Sequence, residues 1–558
     1  MSARRIPSRL VLVFLFTLLV SSVSTSAKES PDLSSAIDSI LSSAFPAEGP
    51  GAAVIVTRDG KTMFRKGYGM ADIEMGVRVE PDMVFRIGSV TKQFTAVAVM
   101  MLVEDGRLGL DDPITKFLPD YPTLGRTITI EHLLTHTSGI QSYTEQEQFI
   151  EMLRKDYTPQ EMIDRFKNEP MAFDPGAKWR YNNSGYFLLG VIIEKASGMT
   201  WGDFLQKRIF DVVGMENTSV DDHSRIIAKR VEGYEPNPNG GWVNASWLSM
   251  TQPYAAGALV STVDDLAKWD AALYTGTLIK PESLRRAQTS FHLNDGSPVA
   301  YGYGWAVGEW QGSPVIEHGG GINGFVCDAI RLPEQKAYVA ILTNRSGVPG
   351  TGEAAQRIAA LIMGKPWEPR AVDVAPEILK RYEGVYRIDE ETTRTVTFES
   401  GSLHTQRTGG VRTKVFPMSE TEFFYEDSLA HIEIEIDDHG APTGMTMYAM
   451  GGLPEAAVFT DEKPSVRTAI QLDPSKLDRY LGRYELVPGF VLDITRDGDQ
   501  LWAQATNQPK FEIFPESETM FFLKVVDAQI EFALDAAGVA TSITLHQGGQ
   551  NLPGKKLE

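Results

Sequence analysis

The chain has 558 residues, 42% of them apolar and 23% charged, with a formal net charge of −20. That length exceeds what one compact core holds, so several domains are expected, and the ordinary apolar fraction excludes a disordered or fibrous chain. The acidity argues against binding to nucleic acid or to an anionic membrane surface, both of which need clustered Lys and Arg.

The N-terminus carries Arg4, Arg5 and Arg9, then the 11-residue apolar run LVLVFLFTLLV, then small residues up to Ala27. Basic, apolar and small in that order is the pattern of a secretory signal peptide, and the run falls well short of the roughly 20 residues that span a bilayer. Residues 1–27 are therefore expected to direct export to the periplasm or the medium, leaving no membrane anchor in the mature form. Cys327 is the only cysteine, so no internal disulfide is available. Its setting, GFVCDAI, reads as a buried strand position rather than a nucleophile.

PDLSSAIDSILSSAF predicts a short helix, and GAAVIVTRDGKTMFRKGYG a hairpin turning at Asp59-Gly60. Helical segments dominate from 89 to about 290. Strands return at SPVIEH, GFVCDAIRLP and AYVAILTN, and EAAQRIAALIMG closes with a helix. Strands at both ends with helices between them predict an α/β (α+β) domain over 28–365, an antiparallel sheet flanked by helices. KPWEPRAVDVAPE reads as a proline-rich linker over 366–378.

An internal repeat follows. LKRYEGVYRI at 379 matches LDRYLGRYEL at 477, an offset of 98 that also carries Pro417 to Pro515, Phe423 to Phe521, Glu433 to Glu531 and Gly440 to Gly538. Both units alternate apolar and polar residues (HIEIEID, QIEFALD) between glycine-containing turns. That period predicts short antiparallel strands closed into two small β-barrels, over 379–463 and 477–558, joined by a linker at 464–476.

The chemistry starts at FRIGSVTKQFTAVAVMML, where Ser89 and Lys92 stand at i and i+3 of a helix start. A serine hydroxyl needs a base to take its proton, and a lysine buried among apolar neighbours has the lowered pKa that this requires. Two further segments supply partners. In KWRYNNSGYFLLG, Tyr181 can relay a proton towards a leaving group, and Asn183 can hydrogen-bond both the lysine and a substrate amide. In VIEHGGGINGF, a strand runs through His318 into three glycines, which leaves room for a substrate along its edge; the Gly321 amide, with that of Ser89, would hold an oxyanion.

S-x-x-K, Y-x-N and H-x-G in this order resemble the penicillin-recognising serine hydrolases: class C β-lactamases, D,D-peptidases, D-aminopeptidases and related esterases. LLTHTSG at 133–139 and AAGALVSTVDDLAKW at 255–269 share the likeness, which covers about residues 35–365. The resemblance implies Ser89 as the acylated nucleophile, Lys92 as its base and Tyr181 as partner base and later acid. It implies Asn183, His318, Gly320 and Gly321 as substrate-binding positions. The tandem C-terminal units resemble the lipocalin-like barrels of some D-aminopeptidases. The chain departs from β-lactamases in carrying histidine where those enzymes have lysine, and a mostly neutral imidazole holds a substrate carboxylate poorly.

His132 and His136 in EHLLTH have a zinc-like i, i+4 spacing, but no third ligand accompanies them, and a structural role is expected. The acids of EDGRLGLDDP read as a solvated turn. No metal or organic cofactor is expected. The expected substrates are small molecules or short peptides, the leading class being small D-residue-containing peptides, as in D-aminopeptidase or D,D-peptidase action. A carboxylesterase or a weak class C-like β-lactamase are the alternative enzymes, and a slowly deacylating penicillin-binding sensor the alternative of another class. Nothing in the sequence sets the oligomeric state.

Overall fold

The computed structural model describes residues 32–557 apart from 147–148, 238–239, 391, 427, 461, 465–466, 468, 488–489, 507 and 548–549; the expected signal segment lies outside the described residues. Helix α1 (Leu33–Ala44) precedes the hairpin of β1 (Ala52–Arg58) and β2 (Lys61–Tyr68). Its turn is Asp59-Gly60, both at positive φ, as a tight two-residue hairpin requires. The sheet is completed by β3 (Ala306–Trp310), β4 (Ser313–Ile322), β5 (Phe325–Leu332) and β6 (Ala337–Thr343), in the order β3-β4-β5-β6-β1-β2 with every pair antiparallel. β1 and β6 are continuous apolar runs because both faces of the sheet are covered. Ala52, Val54 and Val56 face α1 and the closing helix α5 (Thr351–Ile362), while Ala53 and Ile55 face the helical region.

That helical region is built around α2 (Thr91–Glu104), α3 (Asn183–Ser197) and α4 (Val263–Thr275). Residues 91–102 of α2 are buried all round, so the helix lies in the interior rather than along a surface. β3 was not legible as a strand. It is short, glycine-interrupted and next to a loop, and it is held by its pairing with residues 313–317 of β4.

Two closed eight-stranded antiparallel barrels follow, Gly384–Thr460 and Gly482–Lys556. The repeated R-Y-x-x-x-Y phrase has one purpose in both. Tyr386 Oη donates to the Tyr382 carbonyl at 2.9 Å, and Tyr484 Oη to the Tyr480 carbonyl at 2.8 Å, tying the barrel's first strand to the short helix before it. The interiors differ. In the first barrel Arg394 reaches Glu455 at 2.9 Å and the Tyr425 hydroxyl at 3.3 Å. At the offset of 98 the second barrel has Leu492 and Leu523 in place of Arg394 and Tyr425, the first within its apolar core and the second packed against it.

The first barrel is docked on the catalytic sheet. Leu429 and Met450 join the core beside Trp310, and His431 stacks between Trp367 and Tyr448. The Gly451 amide donates to the Glu309 carbonyl at 3.3 Å and the Glu309 amide to the Gly452 carbonyl at 3.4 Å, so a barrel loop covers the outer edge of β3. An uncovered edge strand is a template for unwanted pairing, and this contact removes it. The second barrel meets the first through Arg412 N to Val525 O at 3.1 Å.

Candidate active site

Ser89 sits in a 3₁₀ turn, Gly88–Val90, that leads directly into α2. Gly88 has φ +47°, and a Cβ there would stand 3.0 Å from the Gly321 amide nitrogen. Gly320 is required for the same close approach: a Cβ on it would fall 2.1 Å from the Ile87 carbonyl oxygen. Gly320 therefore lets β4 pass against the turn that carries Ser89. A Cβ at Gly321 would meet nothing within 4 Å, so the open side of the cleft lies there. β3 ends its pairing at Ala306–Glu317, and residues 318–322 of β4 pair only with β5.

Lys92, 0% exposed, is one turn beyond Ser89. Its Nζ lies 3.0 Å from Ser89 Oγ, 2.9 Å from Asn183 Oδ1 and 2.8 Å from the Ala256 carbonyl oxygen. Burial pulls its pKa well below the ordinary lysine range, which favours the amine form. The geometry then fixes what the amine does. Asn183 Oδ1 and Ala256 O are pure acceptors and take both N–H groups, which leaves the lone pair for the Ser89 hydroxyl.

Tyr181 and Asn183 flank the start of α3. Asn182 is the N-cap, accepting from the Gly185 amide at 2.7 Å, so its neighbours are fixed on either side of a helix start. Asn183 also donates through Nδ2 to Thr144 Oγ1 at 3.1 Å. The Tyr181 ring lies 4.7 Å from Lys92 Nζ, and its hydroxyl is close enough to Ser89 for the two to interact. Burial raises the Tyr181 pKa, keeping it a phenol in the resting site.

His318 is 6% exposed and bound at both nitrogens. Nδ1–H donates to the Gly319 carbonyl at 2.6 Å, so Nε2 accepts from the Tyr301 hydroxyl at 2.8 Å. Burial, with Lys92 nearby, pushes its pKa down to about 3. The third segment thus presents a neutral, fixed imidazole.

All seven residues singled out in the sequence lie around one cleft. Three contributors were missed: the Ala256 carbonyl, Thr144 and Tyr301. Only the first lies in a phrase (AAGALVST) that the sequence marked. His132 and His136 do not converge on a common point: His132 Nδ1 accepts from the Thr129 amide at 3.2 Å and His136 Nδ1 from the Asn182 amide at 3.0 Å. Cys327 is buried in β5, its thiol 2.9 Å from the Ile87 carbonyl.

Comparison with known proteins shows the family. Residues 43–363 match the Beta-lactamase family, and residues 368–463 and 466–556 each match a domain of unknown function (DUF3471). The chain is 30% identical to penicillin-binding protein 4* of Bacillus subtilis over 431 residues, 72% of this chain and 94% of that protein. It is 29% identical to the D-aminopeptidase of Gluconobacter oxydans over 351 residues, 61% of this chain and 64% of that protein. Among solved structures, the D-amino acid amidase of Ochrobactrum anthropi aligns with TM-score 0.54 and 28% identity, covering 60% of this chain and 99% of that one. Matched over more than half its length, the chain belongs to the beta-lactamase family of serine hydrolases.

Proposed function

We propose that this serine hydrolase cleaves amide bonds of small D-residue-containing substrates whose leaving side bears no carboxylate, in the manner of a D-aminopeptidase or D-amino acid amidase. The observation that carries this reading is His318. It is neutral, buried, and already committed at both nitrogens to Gly319 and Tyr301. A penicillin or a D-alanyl-D-alanine terminus brings a carboxylate that gains nothing from such a group, whereas an uncharged amide loses nothing. The similarity to a D-aminopeptidase and a D-amino acid amidase supports the same substrate class.

In the reaction, Lys92 takes the Ser89 proton as Oγ attacks the carbonyl. The Ser89 and Gly321 amides receive the oxyanion. Tyr181 gives its proton to the leaving nitrogen and is reprotonated by the Lys92 ammonium, so the net transfer runs from Ser89 to the departing amine. Water then releases the acyl group. Residues 1–27 are proposed to export the enzyme, with the periplasm or the medium as its place of action.

The test is a steady-state panel on protein lacking residues 1–27: a D-alanyl anilide with a free amine, its L-isomer, its N-acetylated twin, a short-chain nitrophenyl ester and a chromogenic cephalosporin. Turnover of the free-amine D-anilide above the other amides and the cephalosporin is expected. Turnover of the ester alone would replace this reading with a carboxylesterase, and turnover of the cephalosporin above the anilide with a β-lactamase.

A further inference from the structure

Beside the site stands a histidine that none of these roles uses. His136 has φ +61°, a left-handed conformation uncommon for residues other than glycine, and it is 1% exposed. Its carbonyl accepts from the Arg180 amide at 3.0 Å, and its Nδ1 from the Asn182 amide at 3.0 Å. Nδ1 is therefore bare, and the ring proton is on Nε2. That Nε2–H is sealed from solvent and has no acceptor. The ring packs 4.4 Å from Tyr181, 4.7 Å from Tyr301 and 5.1 Å from Tyr186, between centroids.

A buried donor without an acceptor is costly, and a site keeps one where it gains a partner later. We propose that His136 is a positioning residue for Tyr181. Its Nδ1 fixes the Asn182 amide, and with it the turn carrying Tyr181. Its Nε2–H is the donor that receives the Tyr181 oxygen once the hydroxyl has given its proton to the leaving nitrogen. In the resting phenol the oxygen needs no such help. In the phenolate it does, and a neutral N–H in a dry pocket stabilises that state selectively. Burial, with Lys92 and His318 nearby, keeps the imidazole itself from becoming a cation. The proposal rests on Tyr181 acting as proton donor in the reaction above.

The test compares D-alanyl nitroanilide with D-alanyl nitrophenyl ester, which share an acyl group, in wild type, His136→Asn and His136→Gln. Asparagine tolerates positive φ, and its Oδ1 can stand near the Nδ1 position to hold the Asn182 amide, but nothing replaces Nε2–H. His136→Asn is expected to lose about 30-fold in kcat/KM on the anilide and less than about threefold on the ester, because nitrophenolate leaves without a proton. His136→Gln, whose amide reaches the Nε2 position, recovers part of the anilide rate. Parallel losses on both substrates, or an unchanged anilide rate, would overturn the proposal. A second measurement needs no variant: ¹⁵N-histidine spectra of the wild type must show His136 with a bare Nδ1 and a protonated Nε2, and the opposite tautomer would refute it. A wild type that cleaves ester but not anilide removes the amidase reading and this proposal together. A wild type that cleaves both, with the ratio unchanged in His136→Asn, removes the proposal alone.

Discussion

The two halves of strand β4 make different uses of the same sheet edge. Residues 313–317 are paired on both sides, to β3 and β5, and a barrel loop seals β3 from outside. Residues 318–322 keep one side open next to Ser89. The change falls between Glu317 and His318, which point to opposite faces. Glu317 lies beneath Gly451 of the barrel loop, beside Asp328, and its Oε2 and the Asp328 Oδ1 are sealed from solvent without a partner. The edge is closed wherever substrate is not needed and left open only along the catalytic turn. The first barrel is thus part of how the catalytic sheet is finished, and its attachment lies away from the open half.

The sharpest way to break the contrast is at the open half. Lys92→Arg puts a permanent cation where a free base is needed, so kcat/KM is expected to fall at least about 1,000-fold on every substrate. In the wild type the lowered Lys92 pKa sets the acid side of the profile: activity holds at neutral pH and is lost as the amine protonates on acidification. An acid limb near the ordinary lysine range would contradict this. Tyr181→Phe is expected to cost about 100-fold on an anilide and much less on a nitrophenyl ester, read from the ratio of the two kcat/KM values.

Changes at the covered half should act on stability and leave the chemistry alone. Leu429→Ala removes a fully buried barrel side chain from the core beside Trp310 and is expected to cost about 2–5 kcal/mol of barrel attachment. Faster proteolysis within 366–378 would report it, with kcat/KM changed less than about threefold. The smallest effect belongs to Glu317→Gln. Burial raises Asp328 from its ordinary 3.8 to about 7 and Glu317 well above its own range. The folded state therefore holds protons that the unfolded chain has released, and stability present at low pH is lost as pH rises through about 7. Removing one carboxyl should leave Tm unchanged at pH 3, below the unfolded values, and raise it by about 2 °C at pH 8, as thermal melts at the two pH values would show.

Most of the site was legible because its signals are local. Ser89 and Lys92 are one turn apart, Tyr181 and Asn183 flank a helix cap, and His318 leads a glycine run in which Gly320 lies too close to Ile87 for a side chain. What escaped was non-local or carried by the backbone. The Ala256 carbonyl that orients Lys92 comes from 164 residues away and has no residue-type signature. Tyr301 meets His318 only because the chain before β3 folds back over the strand. The duplication was legible from one offset, which carries Tyr382 and Tyr386 to Tyr480 and Tyr484. That same likeness concealed the charged interior of the first barrel, since Arg394 and Leu492 fit the same alternating pattern.

The central claim is a covalent acyl intermediate on Ser89, formed with Lys92 as base. The most direct measurement is the mass of the enzyme quenched in acid during turnover of D-alanyl nitrophenyl ester, followed by peptide mapping, in wild type and Ser89→Ala. A mass increase of one D-alanyl group on the peptide containing Ser89, absent from the variant together with all turnover, is the predicted result. Hydrolysis persisting in Ser89→Ala, or the label on another residue, would contradict the account.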